Sequence, residues 1–285
     1  MTFAPCNFRP VFPGSASTKS ANFYRSSSID DGDLKSVQWL REVMGVKCYM
    51  DLRSSSEFHP KSKLGEFYIL QLGNSSSSAK DSMEKSLFEP GRRFHVCMFT
   101  FKFFVKAVIP RLNLLQTLIL IMLIIQHFIF GDYRYFSFIC QHYGNQISLG
   151  RFYCDILDYC PNVFNHIFVL MADESNFPMI IACNYGKDRT GVVAAIAMEL
   201  TGCSDQLIIS EYSQSQNLLK PMQEKLNSEM NFYQIRQEFI QSSPKAMEMF
   251  LHYLKNKYGG SEGYLKFCGV TNEQIEKIKN NIMNK

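Results

Sequence analysis

The residues with the clearest capacity for chemistry lie between positions 178 and 191, where the sequence reads PMIIACNYGKDRTG. A short apolar run leads into Cys183, five residues separate this cysteine from Arg189, and a second apolar stretch follows directly. The pattern predicts a buried strand, a tight loop and a helix in succession. Such a loop turns successive backbone N–H groups inward, and together with the start of the helix they form a cradle for an anion.

A phosphate group fits this cradle, and the side chains around it could cleave a phosphate ester. The positive field of the loop favours the thiolate form of Cys183, which can attack phosphorus and give a phosphocysteine that water then hydrolyses. Arg189 can bind two phosphate oxygens through its planar fork, and Gly186 permits the close backbone turn. Thr190 can donate a hydrogen bond to the sulfur and can also cap the helix. This mechanism needs no metal ion.

The prediction of a phosphate-cleaving site depends on the whole loop and not on its cysteine and arginine alone. A cysteine and an arginine separated by five residues occur by chance in many proteins, whereas CxxGKDRTG between a strand and a helix is a specific combination. The loop is not of the Walker A type, because no glycine lies five residues before Gly186 and because the order of Lys187 and Thr190 is wrong for that motif.

Residues 183–191 resemble the signature loop of the protein-tyrosine-phosphatase superfamily, in the form found in its atypical branch of tyrosine/serine phosphatases. That branch includes enzymes active on lipid phosphates. Weaker motifs in the family's order precede and follow the loop: NFR at 7–9, YRSS at 24–27, DLRS at 51–54 with Glu57, and Glu211-Tyr212 with Ser215. The resemblance covers residues 7–225. One departure is Ala182, because the family usually has a histidine directly before the cysteine that helps to activate the thiol.

The resemblance implies the catalytic roles. Cys183 is the nucleophile, and Arg189 binds the phosphate and stabilises the transition state. Asp188 is the expected general acid, which protonates the leaving oxygen and afterwards activates water. Asp155 and Asp158 are alternatives for this role, because other branches keep a mobile acid loop at a similar distance before the cysteine.

The remaining loop residues and one upstream arginine are the expected phosphate-binding and substrate-binding groups. Asn184, Tyr185 and Gly186 would contribute mainly backbone N–H groups. Lys187 would add positive charge to the floor of the pocket, or else would be an ordinary solvated lysine. Arg53 would line the rim, or would form a structural ion pair.

The elements that must position these residues indicate an α/β fold. Apolar spacing predicts a helix over 33–44 that ends at Gly45, and then a strand over 46–52 in which apolar residues alternate with Lys47, Tyr49 and Asp51. A strand over 179–182 and an exposed loop over 71–93 are also expected. Further helices are predicted over 94–108, 112–129, 152–171 (interrupted by Pro161), 192–200, 211–222, 244–257 and 271–283.

We therefore expect an α/β, protein-tyrosine-phosphatase-like fold, with a central mostly parallel sheet flanked by helices and a helical C-terminal part. One domain is expected to span residues 1–285, with its core over 7–225 and a helical extension over 226–285.

The stretch Leu112–Phe130, LNLLQTLILIMLIIQHFIF, is close to the length of a membrane-spanning helix. Motifs of the site lie on both sides of it in sequence, so a span would place the two halves of one site on opposite sides of a bilayer. A buried helix is the favoured interpretation. A helix docked on a membrane surface and a true span are the alternatives.

Composition narrows the classes of partner. The net charge is +4 without a basic block, which argues against nucleic-acid binding. The nine cysteines form no CxxC and the six histidines show no ligand spacing, so we expect no metal ion, no other cofactor and a reducing location, by default the cytoplasm. Residues 1–20 do not resemble a signal peptide.

The sequence thus predicts a metal-independent phosphomonoester hydrolase acting through a phosphocysteine on Cys183. It is similar to protein tyrosine phosphatases, with possible dual specificity. The expected substrates are phosphorylated proteins or phosphoinositides, and residues 112–130 could associate with a membrane surface. The alternative is a weak or inactive pseudophosphatase that binds phosphorylated partners, which Ala182 favours.

Overall fold

The computed structural model describes residues 4–12, 21–29, 34–54, 57, 68–71, 92–131 and 134–283. In this part of the chain a six-stranded sheet has the strand order β1-β2-β6-β3-β5-β4. Its strands are β1 (Arg9–Pro10), β2 (Phe23–Ser27), β3 (Cys48–Asp51), β4 (Tyr68–Gln71), β5 (Arg92–His95) and β6 (Met179–Cys183). Every neighbouring pair is parallel except β1 with β2. The expected mostly parallel sheet is confirmed.

Both faces of the sheet are covered, and the period of two decides which side chain serves which face. In β6, Ile181 and Cys183 belong to the main apolar cluster, whereas Ile180 and Ala182 belong to a second cluster on the other face. The alternation predicted for the strand over 46–52 is present, but the prediction does not anticipate that Tyr49 is buried too. A strand in the middle of a doubly covered sheet has no solvent face.

Helices flank the sheet on both sides. On the second cluster lies α1 (Leu34–Gln38), which continues as a π-helical turn over Trp39–Val43 and stops before Gly45, as predicted. The other helices are α2 (Phe101–Phe103, continuing through Phe104–Val108 and Ile109–Arg111), α3 (Leu114–Phe130), α4 (Arg134–His142), α5 (Leu149–Tyr159), α6 (Pro161–Met171), α7 (Asp188–Leu200), α8 (Asp205–Ser213), α9 (Ser215–Leu218), α10 (Gln223–Tyr233), α11 (Pro244–Tyr258), α12 (Ser261–Phe267) and α13 (Asn272–Met283).

The helical C-terminal part is confirmed. Apolar residues of α11, α12 and α13 enter the main cluster, among them Phe250, Tyr264 and Ile278. At the start of α13, Thr271 Oγ1 accepts from the N–H of Gln274 at 3.2 Å, and the Gln274 side chain accepts from the N–H of Thr271 at 2.9 Å, as the capping box predicts. The division of the chain into a core and an extension stays a prediction.

Three predicted boundaries are wrong or fall outside the described residues. The helix expected over 94–108 begins at Phe101, behind the cap of Thr100, because residues 92–95 pair with β3 and β4 as β5. The helix expected over 211–222 is broken into α8, α9 and a 3₁₀ turn at Lys220–Met222. The loop expected over 71–93 lies outside the described residues, apart from its ends, which are strand.

The interpretation of residues 112–130 as a buried helix is wrong. Residues 114–130 form α3, but in it Leu120 alone is classed as buried, and Phe128 is 81% exposed. Among the described residues, no helix combines the length and apolarity needed to cross a bilayer.

Candidate active site

Cys183 is the last residue of β6, the strand that lies between β2 and β3. The loop 184–187 follows it, and α7 begins at Asp188. Ligands of open parallel sheets bind outside the carboxyl ends of the strands, which is where this loop lies. The thiol residue is almost fully buried, with 2% of its surface exposed. The predicted succession of strand, loop and helix is therefore present.

The carbonyl groups of the loop are all held by neighbours outside it. The side-chain amide of Asn7 donates to the carbonyls of residues 185 and 186, both at 3.0 Å. The guanidinium of Arg25 donates to those of residues 186 and 187, at 2.8 and 3.3 Å, and the N–H of Ser28 to that of residue 184, at 3.1 Å. No acceptor in the described part of the chain bonds the backbone N–H groups of residues 184–189. These donors are thus available to an anion.

Glu211 of α8 holds the two arginines that lie behind the loop. Its carboxylate accepts from Arg9 Nε at 2.7 Å and from Arg25 Nη1 at 2.5 Å, and its carbonyl accepts from Arg9 Nη2 at 3.0 Å. Arg9 also donates to the hydroxyl of Ser215 at 2.9 Å and to the side chain of Asn7. Burial and the nearby Arg25 lower the pKa of Arg9 to about 9, although Glu211 opposes the shift. The network fixes the loop from its outer side.

Gly186 is required by the geometry of the loop. Its φ is +63°, in the left-handed region that favours glycine. A Cβ at this position would lie 2.1 Å from the backbone carbonyl oxygen of Ser26 in β2. The loop approaches β2 too closely for any side chain here.

Arg189 lies on the first turn of α7 and forms a bidentate ion pair with Glu57, at 2.6 and 2.9 Å. Its guanidinium also lies 5.2 Å from the ring centroid of Phe99. The N–H and the hydroxyl of Ser54 donate to Glu57 at 2.9 and 2.7 Å. Burial alone would raise the pKa of Glu57, but Arg189 and Ser54 lower it to about 2. The arginine fork is thereby oriented before any ligand arrives.

Asp188 lines the cavity in front of the loop. Its Oδ1 atom accepts from the hydroxyl of Tyr153 and from Lys187 Nζ, both at 2.6 Å. The hydroxyls of Tyr153 and Tyr212 are in turn 2.6 Å apart. Oδ2 has no hydrogen bond to a described residue, so one carboxylate oxygen is held while the other is open to a ligand.

Lys187 fits neither of its two predicted environments. It is 1% exposed and does not line the cavity, and its Nζ atom donates to the carbonyls of Phe239 and Gln241, at 3.0 and 3.1 Å, as well as to Asp188. Burial alone would lower the pKa of Lys187, but Asp188 more than offsets this and raises it. The lysine is buried because three acceptors match its three donors.

Arg53 combines its two predicted environments. It lines the cavity, and it is paired with Asp51 at 2.9 Å (Nε) and 2.6 Å (Nη2). Arg93, fully buried, reaches the same carboxylate at 2.7 Å. Burial would raise the pKa of Asp51, but the two arginines lower it. The ion pair explains why Asp51, on the predicted polar side of β3, is buried.

The structure does not bring the two alternative acids to the cavity. Asp155 is fully buried among Arg111, Arg151 and the hydroxyl of Tyr143. Asp158 accepts from residues of α11, with Tyr258 Oη at 2.8 Å. Neither lines the cavity, whereas Asp188 does.

Thr190 and Ala182, close to the thiol in sequence, make no hydrogen bond to a described residue through their side chains. The hydroxyl of Thr190 is buried and has no hydrogen-bond partner among the described residues, so the predicted bond to the sulfur is not formed in this state. Ala182 packs in the second apolar cluster with Tyr24 and Tyr49, and its methyl group can support the loop by contact alone.

A cavity of about 480 Å³ opens in front of the loop. Asn184, Tyr185, Asp188, Arg189 and Arg53 line it on the polar side. Most of the remaining wall is aromatic or aliphatic and comes from α2, α4, α5 and α10, including Phe103, Phe136, Ile139, Phe152 and Tyr233, with Tyr143 directly after α4. Tyr185 donates to Glu229 across one edge, and burial together with Glu229 raises the pKa of Tyr185 far above its ordinary range.

Sequence reasoning missed what several of these residues do. Asn7, Arg9, Arg25 and Glu211 stand in the motifs that carry the family resemblance, but their position in sequence gives no sign that they bind the loop. Their contacts bridge up to 208 residues, as between Asn7 and Ser215. Tyr153 had no sequence signal at all, since a tyrosine on a helix is usually a core residue.

The mostly parallel sheet, with a loop of unbonded N–H groups at the end of its central strand, defines an α/β protein whose loop can accept an anion. The family model described as "Tyrosine phosphatase family" matches residues 141–284, half of the chain, and the chain belongs to this family. The match includes α11, α12 and α13.

Two known proteins are similar to this chain. A "Tyrosine-protein phosphatase" from Nostoc commune is 29% identical over 142 residues, which cover 46% of this chain and 48% of that protein. The chain thus matches about half the length of this curated relative. Among solved structures, the core catalytic domain of the PP-IP phosphatase SIW14 from S. cerevisiae, in complex with citrate, is similar at 14% identity and a TM-score of 0.34, covering 74% of this chain and 77% of that one.

Proposed function

We propose that the chain is a cysteine-dependent phosphomonoester hydrolase. The observation that carries the proposal is the loop 184–189, whose N–H groups have no acceptor in the described part of the chain while its carbonyls are held from behind. Cys183 and Arg189 stand at the two ends of this loop. A loop with a nucleophile before it, a cation after it and unbonded N–H groups between them has the groups that attack on a phosphate requires, which supports the proposal.

In the proposed reaction the Cys183 thiolate forms a bond to phosphorus while the bond from phosphorus to the leaving oxygen breaks. Asp188 gives its proton to that oxygen. Water then attacks the phosphocysteine, Asp188 takes a proton from the water, and the sulfur–phosphorus bond breaks to release phosphate and restore the thiolate. The N–H groups and Arg189 hold the other phosphate oxygens throughout, and Thr190 donates its unused hydroxyl hydrogen to the departing sulfur.

The cavity wall bears on the substrate. A phosphate at the loop would leave its ester group among the aromatic side chains of the cavity, such as Phe103 and Phe152. Such a wall favours aryl phosphates, so phosphotyrosine in proteins is the first proposed substrate. Phosphoinositides and phosphoserine or phosphothreonine are the alternatives. Lys187 does not line the cavity and its three donors are bound by the chain, so it makes no direct contact that would favour multiply phosphorylated ligands.

The second candidate function is a module that binds phosphorylated partners without turning them over. Ala182 favours it, because a methyl group cannot donate a hydrogen bond to the loop. The phosphate cradle does not depend on this residue, so binding would persist where catalysis is weak.

Hydrolysis of a small aryl phosphate by the purified protein, in EDTA and a thiol reductant, tests the proposal. We expect turnover that Cys183→Ser abolishes. Cys203→Ser is the matched control, because Cys203 is half-buried and contacts Thr201 away from the cavity. Equal turnover in both variants would refute the role of Cys183. No turnover in the native protein, with tungstate still bound, would support the binding module instead.

Substitution of each candidate aspartate tests which one is the general acid. Asp188→Asn should slow hydrolysis strongly and remove one limb of the pH profile, whereas Asp158→Asn should keep the native profile. The reverse result would assign the acid to the α5 residue. The expected cytoplasmic location also remains part of the proposal.

A further inference from the structure

We propose that the outward face of α3 docks on the surface of a phospholipid bilayer that contains anionic lipids. The face consists of Leu114, Leu118, Ile121, Ile125, Phe128 and Ile129, which recur at helical spacing and are each between 48% and 81% exposed. A continuous stripe of large apolar side chains along a whole helix marks an interaction surface, because single exposed apolar residues are common but stripes are not.

Both faces of the helix carry apolar side chains, Leu120 among those on the inner face, but the polar side chains of its last two turns lie on the inner face. Its inner face, which packs towards α4, carries polar side chains: Gln126 and His127 are half-buried, and the ring of His127 lies 4.9 Å from that of Tyr135. The buried Oε1 atom of Gln126 has no hydrogen-bond partner among the described residues. Polar groups turned inward and apolar groups turned outward are stable where the outer medium is apolar.

The charges around this helix favour an anionic surface. Of the seven lysines and arginines in residues 92–154, four are paired with aspartates and add no free charge to the surface: Arg92, Arg93, Arg111 and Arg151. Lys102 and Lys106 lie one turn apart in α2, just before α3, and both are exposed and form no ion pair with a described residue. Phe101, beside Lys102, is 82% exposed. Exposed basic and apolar side chains in one region match the headgroups and the acyl boundary of an anionic bilayer.

A second copy of the chain is a poorer occupant. A twofold interface brings each patch against itself, so Lys102 and Lys106 of the two copies would approach one another around the apolar stripe. No described acidic side chain of this region would offset that repulsion. Anionic headgroups neutralise the same charges.

The outward face of α3 lies one helix away from the cavity. α4 packs on α3, and three α4 residues line the cavity wall: Phe136, Ile139 and Cys140. Docking would therefore bring the cavity near the headgroups, where a phosphorylated lipid or membrane protein presents its phosphate. This benefit for catalysis rests on the proposed function, whereas the docking itself does not.

Sedimentation of the full chain with vesicles tests docking without using activity. The vesicles are phosphatidylcholine alone or phosphatidylcholine mixed with phosphatidylserine. We expect binding to the mixed vesicles, weakened by salt. The double variant Leu118→Gln with Ile125→Gln should weaken it by at least about tenfold. Its matched control is Leu207→Gln with Leu218→Gln, two partly exposed leucines on α8 and α9, which should bind like the native protein.

A second pair of variants tests the charges. Lys102→Glu with Lys106→Glu should abolish the preference for phosphatidylserine, whereas Lys220→Glu with Lys245→Glu, two exposed lysines elsewhere, should preserve it. Hydrolysis of a soluble aryl phosphate should be unchanged in all four variants, which separates failure of docking from failure of the proposed function.

Three results would overturn the proposal: no sedimentation of the native chain with mixed vesicles, equal sedimentation of the Leu118/Ile125 variant, or equal binding by the Lys102/Lys106 variant. A native dimer that the Leu118/Ile125 variant dissociates, without vesicle binding, would assign the face to a second copy.

Discussion

The loop after β6 and the helix α3 satisfy their polar and apolar groups in opposite ways. Around the loop, charged groups are buried and matched: Arg25 and Glu211 lie 2.5 Å apart, both almost without exposure. On α3, large apolar groups face solvent, and the buried Oε1 atom of Gln126 lacks a hydrogen-bond partner among the described residues. The charged groups of one region are paired within the chain, whereas the large apolar groups of the other are left to the solvent.

This contrast teaches where substitutions should be costly. Removing one member of a matched buried set leaves its partners without compensation, which is expensive. Removing an outward apolar side chain takes away little that the folded chain uses. We therefore expect substitutions at the loop to lower the free energy of unfolding most, and substitutions on the outward face of α3 to lower it least.

Gly186→Ala should have the largest effect. The new methyl group would meet the backbone of Ser26, which cannot move aside without disturbing β2, and φ would remain at +63°. We expect the free energy of unfolding to fall by more than about 4 kcal/mol and aryl phosphate hydrolysis to be lost. Gly45→Ala is the control, because Gly45 has φ +64° but nothing within 4 Å of a new Cβ, so about 1–2 kcal/mol of backbone strain is expected. Urea unfolding of both variants measures the difference, and equal losses would contradict the close-approach argument.

Glu211→Gln should have the next largest effect. Arg9 and Arg25 would stay buried without their shared carboxylate, which costs about 3–4 kcal/mol. Glu262→Gln is the control, since Glu262 is about half exposed and its pairs with Lys266 and Lys279 contribute less than about 1 kcal/mol. If urea unfolding showed similar losses for both, the buried network would not be what fixes the loop.

Glu57 should make stability depend on pH. Its pKa in the folded protein is about 2, below the ordinary 4.5, so its ion pair with Arg189 contributes fully above about pH 4.5 and is lost as the pH falls through 2. This difference in pKa corresponds to at most about 3.4 kcal/mol of the free energy of unfolding. In Glu57→Gln the free energy of unfolding should therefore fall less steeply between about pH 5 and pH 2 than in the native chain. Parallel pH curves for the two proteins would show that the pair does not stabilise the fold.

Leu118→Gln should have the smallest effect. Leu118 is 56% exposed, so the free energy of unfolding should change by less than about 0.5 kcal/mol. Leu120→Gln, two residues along the same helix, should cost about 2–3 kcal/mol, because Leu120 is 4% exposed and belongs to the main apolar cluster. Thermal or urea unfolding compares the two. A large fall in the free energy of unfolding for Leu118→Gln would mean that the outward face of α3 is packed in solution.

Local patterns predict the parts of this molecule that depend on local physics. The strand before Cys183, the helix after Arg189 and the cap of α13 follow from apolar spacing and capping residues, and the structure contains all three. The short strand over 92–95 is different. Its residues, RRFH, fall across the predicted end of a loop at 93 and the predicted start of a helix at 94, and pairing with β3 and β4 decides their conformation.

The site divides in the same way. The loop residues could be selected from sequence because the chemistry fixes their spacing. The environment of Lys187 could not, because its acceptors at Phe239 and Gln241 lie more than fifty residues away. The exposure of α3 was also beyond sequence reasoning, since an apolar stretch of this length looks the same whether it meets a core or a bilayer.

The position of β6 has a consequence for the order of folding. It lies between β2 and β3, yet it is made about 130 residues after β3. During synthesis β2 and β3 must wait for their shared neighbour, and Asn7 and Arg25 wait with them for the carbonyls that they bind. Contacts at such separations raise the entropic cost of closure and slow folding. Anion binding at the loop is thus a late event, and its appearance after dilution from urea would time the arrival of the last central strand.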